Sequence, residues 1–127
     1  MYQVIHLRGD MEPWWFLEGW EKDITTVVEF DNYYKALKYY KAEWRKLYRE
    51  LPSFISKSSI MTAFWDSKDK RWCEACDDYL QQYHSLILLV DWQKIPKNRY
   101  RTGYTKRNDP LPPPFCSVKK WRFNKNI

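Results

Sequence analysis

The sequence predicts an α+β fold in which a single long helix packs on an antiparallel sheet of about five strands, followed by an extended basic C-terminal tail. Three observations predict this fold. β-Branched and aromatic residues concentrate in short runs, one stretch has the apolar period of a helix, and regular periodicity ends after Trp92. We therefore predict an α+β domain over residues 1–92 and a basic, proline-containing tail over residues 93–127.

Five short runs have the composition of strands. The third and fourth runs flank the sequence DSKDK, whose Asp and Ser residues favour a turn, so these two runs are expected to pair as a hairpin. The fifth run, HSLILLVDW, is continuously apolar at its centre, which is typical of a strand buried on both faces. Residues 53–59 are interpreted as a polar connection. The predicted strands are residues 2–8, 24–30, 60–65, 71–76 and 84–92.

The most regular pattern in the chain is an amphipathic helix that begins at Asp31, a good N-cap residue, and ends before Pro52. Its apolar positions recur at three- and four-residue intervals. They are Tyr33, Ala36, Leu37, Tyr40, Trp44, Leu47, Tyr48 and Leu51. Four cations form a ridge on the opposite face: Lys38, Lys41, Arg45 and Arg49. Such a ridge is typical of a solvated helix face, and it would also extend a nucleic-acid footprint.

Positive charge is concentrated at the C-terminal end of the chain. Residues 1–91 carry 12 Lys and Arg against 15 Asp and Glu, a net charge of −3, whereas residues 92–127 carry 10 against one, a net charge of +9. The tail also contains several prolines and aromatic residues. Prolines predict an extended, partly polyproline II conformation, and the aromatic content predicts that part of the tail packs against the body.

The stretch MEPWWFLEGW, residues 11–20, places four large aromatic rings among acidic residues. Stacking platforms for single-stranded nucleic acid need a positive groove, which this stretch lacks. We interpret these rings as part of the core or as a cap on the sheet. The alternative is a groove that binds a peptide or the protein's own basic tail.

The sequence predicts neither an enzyme nor a cofactor. Cys73 and Cys76 form one CxxC pair, which is half of a zinc site, and the remaining ligands would have to come from His84, Cys116 or His6. The acidic residues around the pair oppose a redox dithiol. The chain has only two histidines and three scattered glycines, so neither a nucleophile–base motif nor a phosphate-binding glycine loop is present.

Three cysteines and the absence of a recognisable signal segment predict a reducing, cytoplasmic location. The longest apolar run, LILLV, is far shorter than a membrane-spanning helix. We therefore expect no membrane association.

A family resemblance rests on five stretches of the sequence. They are EPWWFLEGW, the helical pattern YxxALxYY, AFW, RWCEACDDYLQQYH and LILL. Over residues 1 to about 92 the chain resembles a family of small uncharacterised proteins of Gram-positive bacteria, catalogued as a domain of unknown function. The resemblance implies a protein labelled hypothetical or DNA-binding, whose gene lies near RNA polymerase and DNA-uptake pilus genes. It implies no catalytic residues.

The resulting hypothesis is a cytoplasmic, non-enzymatic protein that binds nucleic acid with low sequence specificity, mainly through electrostatic contacts of the tail. The alternative is a protein-interaction adaptor that uses the Trp-rich surface or the proline run PLPPPF. A third hypothesis is a small metal or redox protein built on the CxxC pair. The predicted nucleic-acid contacts are Lys97, Arg99, Arg101, Tyr104, Lys106, Arg107, Lys119, Lys120, Trp121, Arg122 and Lys125.

Overall fold

A computed structural model describes residues 1–108 of the chain and contains one long helix, α1, at Tyr33–Glu50. The N-cap is Asn32, one residue later than predicted, because its side-chain oxygen accepts hydrogen bonds from the backbone amides of Tyr34 and Lys35 at 2.8 and 3.1 Å. The helix ends before Pro52, as predicted.

The described residues form nine strands. Seven belong to one antiparallel sheet with the order β2-β1-β7-β4-β3-β9, in which β8 also pairs with β7, and the remaining two, β5 and β6, form a separate ribbon. The strands are β1 (Tyr2–Gly9), β2 (Ile24–Phe30), β3 (Ser53–Lys57), β4 (Met61–Trp65), β5 (Lys70–Cys73), β6 (Asp78–Gln81), β7 (Tyr83–Val90), β8 (Gln93–Lys94) and β9 (Lys106–Arg107).

The α+β class with one helix on an antiparallel sheet is confirmed, but the sheet is larger than the predicted five strands. Residues 53–57 form β3 instead of a polar connection. The predicted hairpin around DSKDK is wrong, since β4 pairs with β3 and β7 while β5 pairs with β6. A turn does form at DSKDK, where the Asp69 amide donates to the Asp66 carbonyl at 2.9 Å, but it joins strands of two different sheets. β4 is buried along its whole length in the large sheet, whereas most of β5 is exposed.

One face of the sheet packs against α1. Leu37 and Tyr40 of the helix form a buried cluster with Val4, Phe64 and Leu86, which come from β1, β4 and β7. As predicted, β7 is buried on both faces, so alternate residues of this strand also serve the opposite face.

The opposite face of the sheet is covered by the loop between β1 and β2, which we call the Trp-rich loop (residues 10–23). Trp14, Phe16 and Trp20 of this loop pack against Ile5 and Ile87 of the sheet. The interpretation of these rings as part of the core or as a cap on the sheet is therefore confirmed in its second form for Trp14, Phe16 and Trp20, which are partly buried against the core. The domain has three layers, with α1 on one side of the sheet and the Trp-rich loop on the other.

The first part of the predicted tail returns to the sheet. Asp91 and Trp92 both have positive φ, 48° and 64°, and form the two-residue turn between β7 and β8. Ile95 is buried in the helix-side core, and β9 pairs with Ile55 and Ser56 of β3 at the edge of the sheet. Packing of the tail against the body is thus confirmed for residues 93–108.

Candidate functional site

Residues 97–108, which we call the basic segment, run alongside α1 in the same direction as the helix. Arg99 lies near the start of α1, and Asn108 lies just beyond its end. In chain order, Arg99 lies over Tyr33 (4.6 Å from guanidinium carbon to ring centroid), Tyr104 stacks on Tyr40 (6.2 Å between centroids), Lys106 lies over Trp44 (5.1 Å from Nζ), and Asn108 donates a hydrogen bond to the Pro52 carbonyl (2.8 Å).

A pocket of about 190 Å³ lies between α1 and the basic segment. Aromatic rings, hydroxyl groups and cations line it, and no carboxylate of residues 1–108 does. Lys41 of the helix lies 5.9 Å from the Tyr104 ring centroid, so cations from both elements lie beside the aromatic walls. The lining residues are Tyr40, Lys41, Trp44, Arg45, Ser56, Tyr104 and Lys106.

The pocket's cations are not neutralised by acids in the part of the chain that the structure describes. Within residues 1–108, none of Lys41, Arg45 and Lys106 forms an ion pair. The helix carries acids elsewhere: Glu43 forms an ion pair with Lys46 at 2.8 Å. The two sides of α1 therefore differ, with charge compensated around Glu43 and left positive around the pocket.

On the compensated side, Glu43 Oε1 lies 3.3 Å from His6 Nε2. The hydrogen bond from Lys46 is the main cause that lowers the pKa of the Glu43 carboxyl. This carboxylate therefore stays ionised at neutral pH, and its contact with His6 links α1 to β1.

The buried hydroxyl group of Thr62 forms hydrogen bonds with three residues that line the pocket. Thr62 Oγ1 accepts a hydrogen bond from the Trp44 indole at 3.1 Å, lies 2.7 Å from the Tyr40 hydroxyl, and donates to Ser56 Oγ at 3.0 Å. Because the single Thr62 proton goes to Ser56, the Tyr40 hydroxyl is the donor in its contact. The hydroxyl proton of Ser56 has no acceptor among the hydrogen bonds of the described residues.

Both tyrosines of the pocket keep their protons. Burial raises the pKa of Tyr40 and of Tyr104 above the usual range of a phenol. The Tyr104 hydroxyl is buried and has no hydrogen-bond partner within residues 1–108. The lining residues thus combine the unused hydroxyl proton of Ser56 with positive charge, and this combination suits an anion.

One protein family matches the chain over residues 1–118, namely the family described as Protein of unknown function (DUF1033). The chain belongs to this family. The match extends beyond the region of resemblance predicted from the sequence, and it includes the whole basic segment. No curated protein and no solved structure matches the chain. The family description states no activity.

The structure places six of the eleven predicted contact residues on the basic segment. Lys97 and Arg99 lie in one 3₁₀ turn and Tyr104 in the next, with Arg101 between the two turns. Only Tyr104 and Lys106 line the pocket. Arg107 lies in β9 at the sheet edge. The other five predictions lie outside the described residues: Lys119, Lys120, Trp121, Arg122 and Lys125.

Sequence reasoning missed the roles of Trp44 and Ser56. Trp44 belongs to the predicted apolar stripe, but it is only partly buried and forms a wall of the pocket. Ser56 belongs to the predicted polar connection, but it lies in β3 and its hydroxyl accepts a hydrogen bond from Thr62. The basic ridge is the signal that points to this region, since Lys41 and Arg45 belong to it.

One acidic residue of the Trp-rich loop, Glu12, lies near a cation of the protein itself. Lys57 Nζ lies 4.0 Å from the Trp14 ring centroid, and its charge acts on the buried Glu12. Burial nevertheless raises the pKa of Glu12 and lowers the pKa of Lys57. Lys94, which follows the β7–β8 turn, lies 5.7 Å from the Phe16 ring centroid. Lys57 and Lys94 thus contact two rings of the surface on which the adaptor hypothesis depends, and the proline run of that hypothesis lies outside the described residues.

The CxxC pair lies at the end of the β5–β6 ribbon. Cys73 is a free, partly buried thiol, so the two cysteines of the motif are not joined to each other. No group of three metal-ligating side chains occurs within residues 1–108. In the same part of the chain, no helix combines the length and apolar composition needed to cross a membrane.

Proposed function

We propose that the protein is a non-enzymatic nucleic-acid-binding protein whose binding face is formed by α1 and the basic segment. The observation that supports this proposal most strongly is the set of cations, unpaired within residues 1–108, that the two elements bring together. Lys41 and Arg45 come from the helix and Lys106 from the basic segment, so residues far apart in sequence contribute to one positive surface. Counterion release from phosphates is the expected source of affinity.

The length of the face also suits a nucleic-acid backbone. An 18-residue helix is roughly 27 Å long, and consecutive phosphates of one strand in a duplex are about 3.4 Å apart along the axis. The face therefore spans about eight nucleotides. Residues 93–108 carry Lys and Arg but no Asp or Glu, so the repulsion of phosphate along this path is small.

Aromatic rings beside the cations favour contact with bases or sugars as well as phosphates. Tyr48 is exposed and stacks on Trp44 with 13° between the ring planes. Exposed aromatic surface next to a positive groove is the arrangement that binds single strands with little sequence preference. The predicted contacts after residue 118, including Trp121, would add to this affinity.

The proposal is tested by the anisotropy of a labelled oligonucleotide, single-stranded or duplex, titrated with full-length protein at increasing salt. Affinity should fall steeply as salt rises. Replacing Lys41 or Arg45 by Ala should weaken binding and reduce the slope of log affinity against log salt by about one for each phosphate that the variant no longer binds.

Lys46→Ala is the matched control, because Lys46 lies on the same helix but is paired with Glu43. This variant should bind with nearly unchanged affinity. Absence of binding at low salt would refute the proposal, as would equal losses in Lys46→Ala and Arg45→Ala, since general charge would then explain the binding.

A further inference from the structure

We propose that the pocket between α1 and the basic segment holds the terminal phosphate of a nucleic-acid strand. This inference rests on the proposed function and adds a preferred substrate, a phosphorylated strand end. In the pocket, cations from both elements surround a cavity. By contrast, the other two cations of the helix ridge, Lys38 and Arg49, are exposed and do not line the pocket.

The charge of the pocket suits a phosphomonoester better than a phosphodiester. A phosphomonoester carries up to two negative charges at neutral pH, whereas each linkage within a strand carries one. Lys41, Arg45 and Lys106 supply three positive charges, with no acid among the described lining residues. A second negative charge thus gains attraction here that it would not gain on a surface already neutralised by acids.

The hydrogen-bonding groups point to the same ligand. Phosphate oxygens are acceptors, and one hydroxyl of a lining residue has a proton that no described residue accepts. The Ser56 hydroxyl accepts from Thr62 and retains its own proton. Charge-assisted hydrogen bonds to an anion are stronger than those between neutral groups.

The size of the pocket limits what enters it. A volume of about 190 Å³ is below the roughly 300–1,000 Å³ of sites that enclose whole small molecules. A phosphate with part of its sugar fits such a volume, and the rest of the strand would continue along the positive face. Trp44 and its stacked neighbour Tyr48 would then meet the first bases.

The experiment compares one labelled single strand in three forms: 5′-phosphorylated, 3′-phosphorylated and unphosphorylated. Full-length protein should bind one phosphorylated form about tenfold more tightly than the unphosphorylated strand. Inorganic phosphate should weaken binding of the preferred phosphorylated strand more than binding of the unphosphorylated strand, because it competes directly for the pocket.

Two sets of variants separate the pocket from the rest of the face. Arg45→Ala and Lys106→Ala should bring the ratio of affinities, that of the preferred phosphorylated strand to that of the unphosphorylated strand, close to one. Ser56→Ala, which retains every charge, should lower the ratio without changing the salt dependence. Lys38→Ala is the control, because Lys38 belongs to the same ridge but does not line the pocket. This variant should weaken binding of the phosphorylated and unphosphorylated strands by the same factor and so leave the ratio of their affinities unchanged.

The outcomes distinguish this inference from the proposed function. Equal affinity for all three strands would overturn the terminal-phosphate site and leave nucleic-acid binding in place. Calorimetric binding of inorganic phosphate without any end preference would also overturn it, since the pocket would then be a site for the free ion. Absence of binding to every strand would overturn both proposals.

Discussion

At the scale of single residues, Thr62 is the group on which the pocket depends most. Its hydroxyl satisfies the Trp44 indole and the Tyr40 hydroxyl, both of which need a partner when buried. Thr62→Val keeps the shape and removes the hydroxyl, so two donors lose their acceptor. We expect a loss of about 2–3 kcal/mol in the free energy of unfolding, measured by urea denaturation.

Thr26→Val provides the control, because Thr26 is exposed on β2. The same chemical change there should alter stability by no more than about 0.5 kcal/mol. If the two substitutions changed the free energy of unfolding equally, the hydrogen bonds around Thr62 would make no net contribution to stability. A separate effect is expected in binding assays, since the Trp44 ring loses the hydrogen bond that fixes its orientation.

At the scale of elements, the Trp-rich loop acts as the cover of the second sheet face. Trp14 packs against two buried clusters, one formed by Ile5 and its neighbours and one that includes Trp65. Trp14→Ala should therefore cost about 3 kcal/mol in the free energy of unfolding, with little effect on nucleic-acid affinity at temperatures where the variant is folded. Thermal melts together with the anisotropy assay measure both effects.

Trp72→Ala is the comparison for this prediction. Trp72 is 47% exposed on the β5–β6 ribbon and contacts Tyr79 edge-to-face at 5.1 Å between ring centroids. Its removal should cost about 1 kcal/mol or less. A larger loss for Trp72→Ala than for Trp14→Ala would mean that the ribbon, rather than the loop, completes the core.

The elements that sequence reasoning predicted well are those whose signal is local. The helix stripe from Tyr33 to Leu51 and the apolar run of β7 are readily predicted because burial sets their periodicity. Strand β3 was missed because Ser53 and Ser56 interrupt its apolar residues, although Ser56 is buried and its hydroxyl accepts a hydrogen bond from Thr62. The pocket was not predictable, since it requires Lys106 to meet Trp44 across 61 intervening residues.

At the scale of the whole molecule, residues 93–108 belong to the packed structure. Ile95 is buried in the core, and the Asn108 side chain accepts from the Phe54 amide at 2.8 Å while β9 extends the sheet. A chain ending after Trp92 has none of these interactions. We expect it to lose most of its stability, because typical domains have only about 5–15 kcal/mol in total.

A chain ending after Val118 is the matched control, because it keeps every described residue and the full family match. Its melting temperature should stay close to that of the full chain, measured by circular dichroism. The prediction would be contradicted if the chain ending after Trp92 unfolded cooperatively at the same melting temperature as the full chain. The basic segment would then be dispensable for folding.

The order of strands in the sheet also has a consequence for synthesis of the protein. The first strand of the chain, β1, lies between β2 and β7, and its pairing joins Tyr2 to Val90. On the ribosome, β1 therefore emerges long before the strand that completes its hydrogen bonds. Contacts so distant in sequence slow folding. Until about residue 90 has left the ribosome, the nascent chain exposes its tryptophans and an unpaired strand edge. The interval before β7 emerges is when a chaperone would be of most use to this chain.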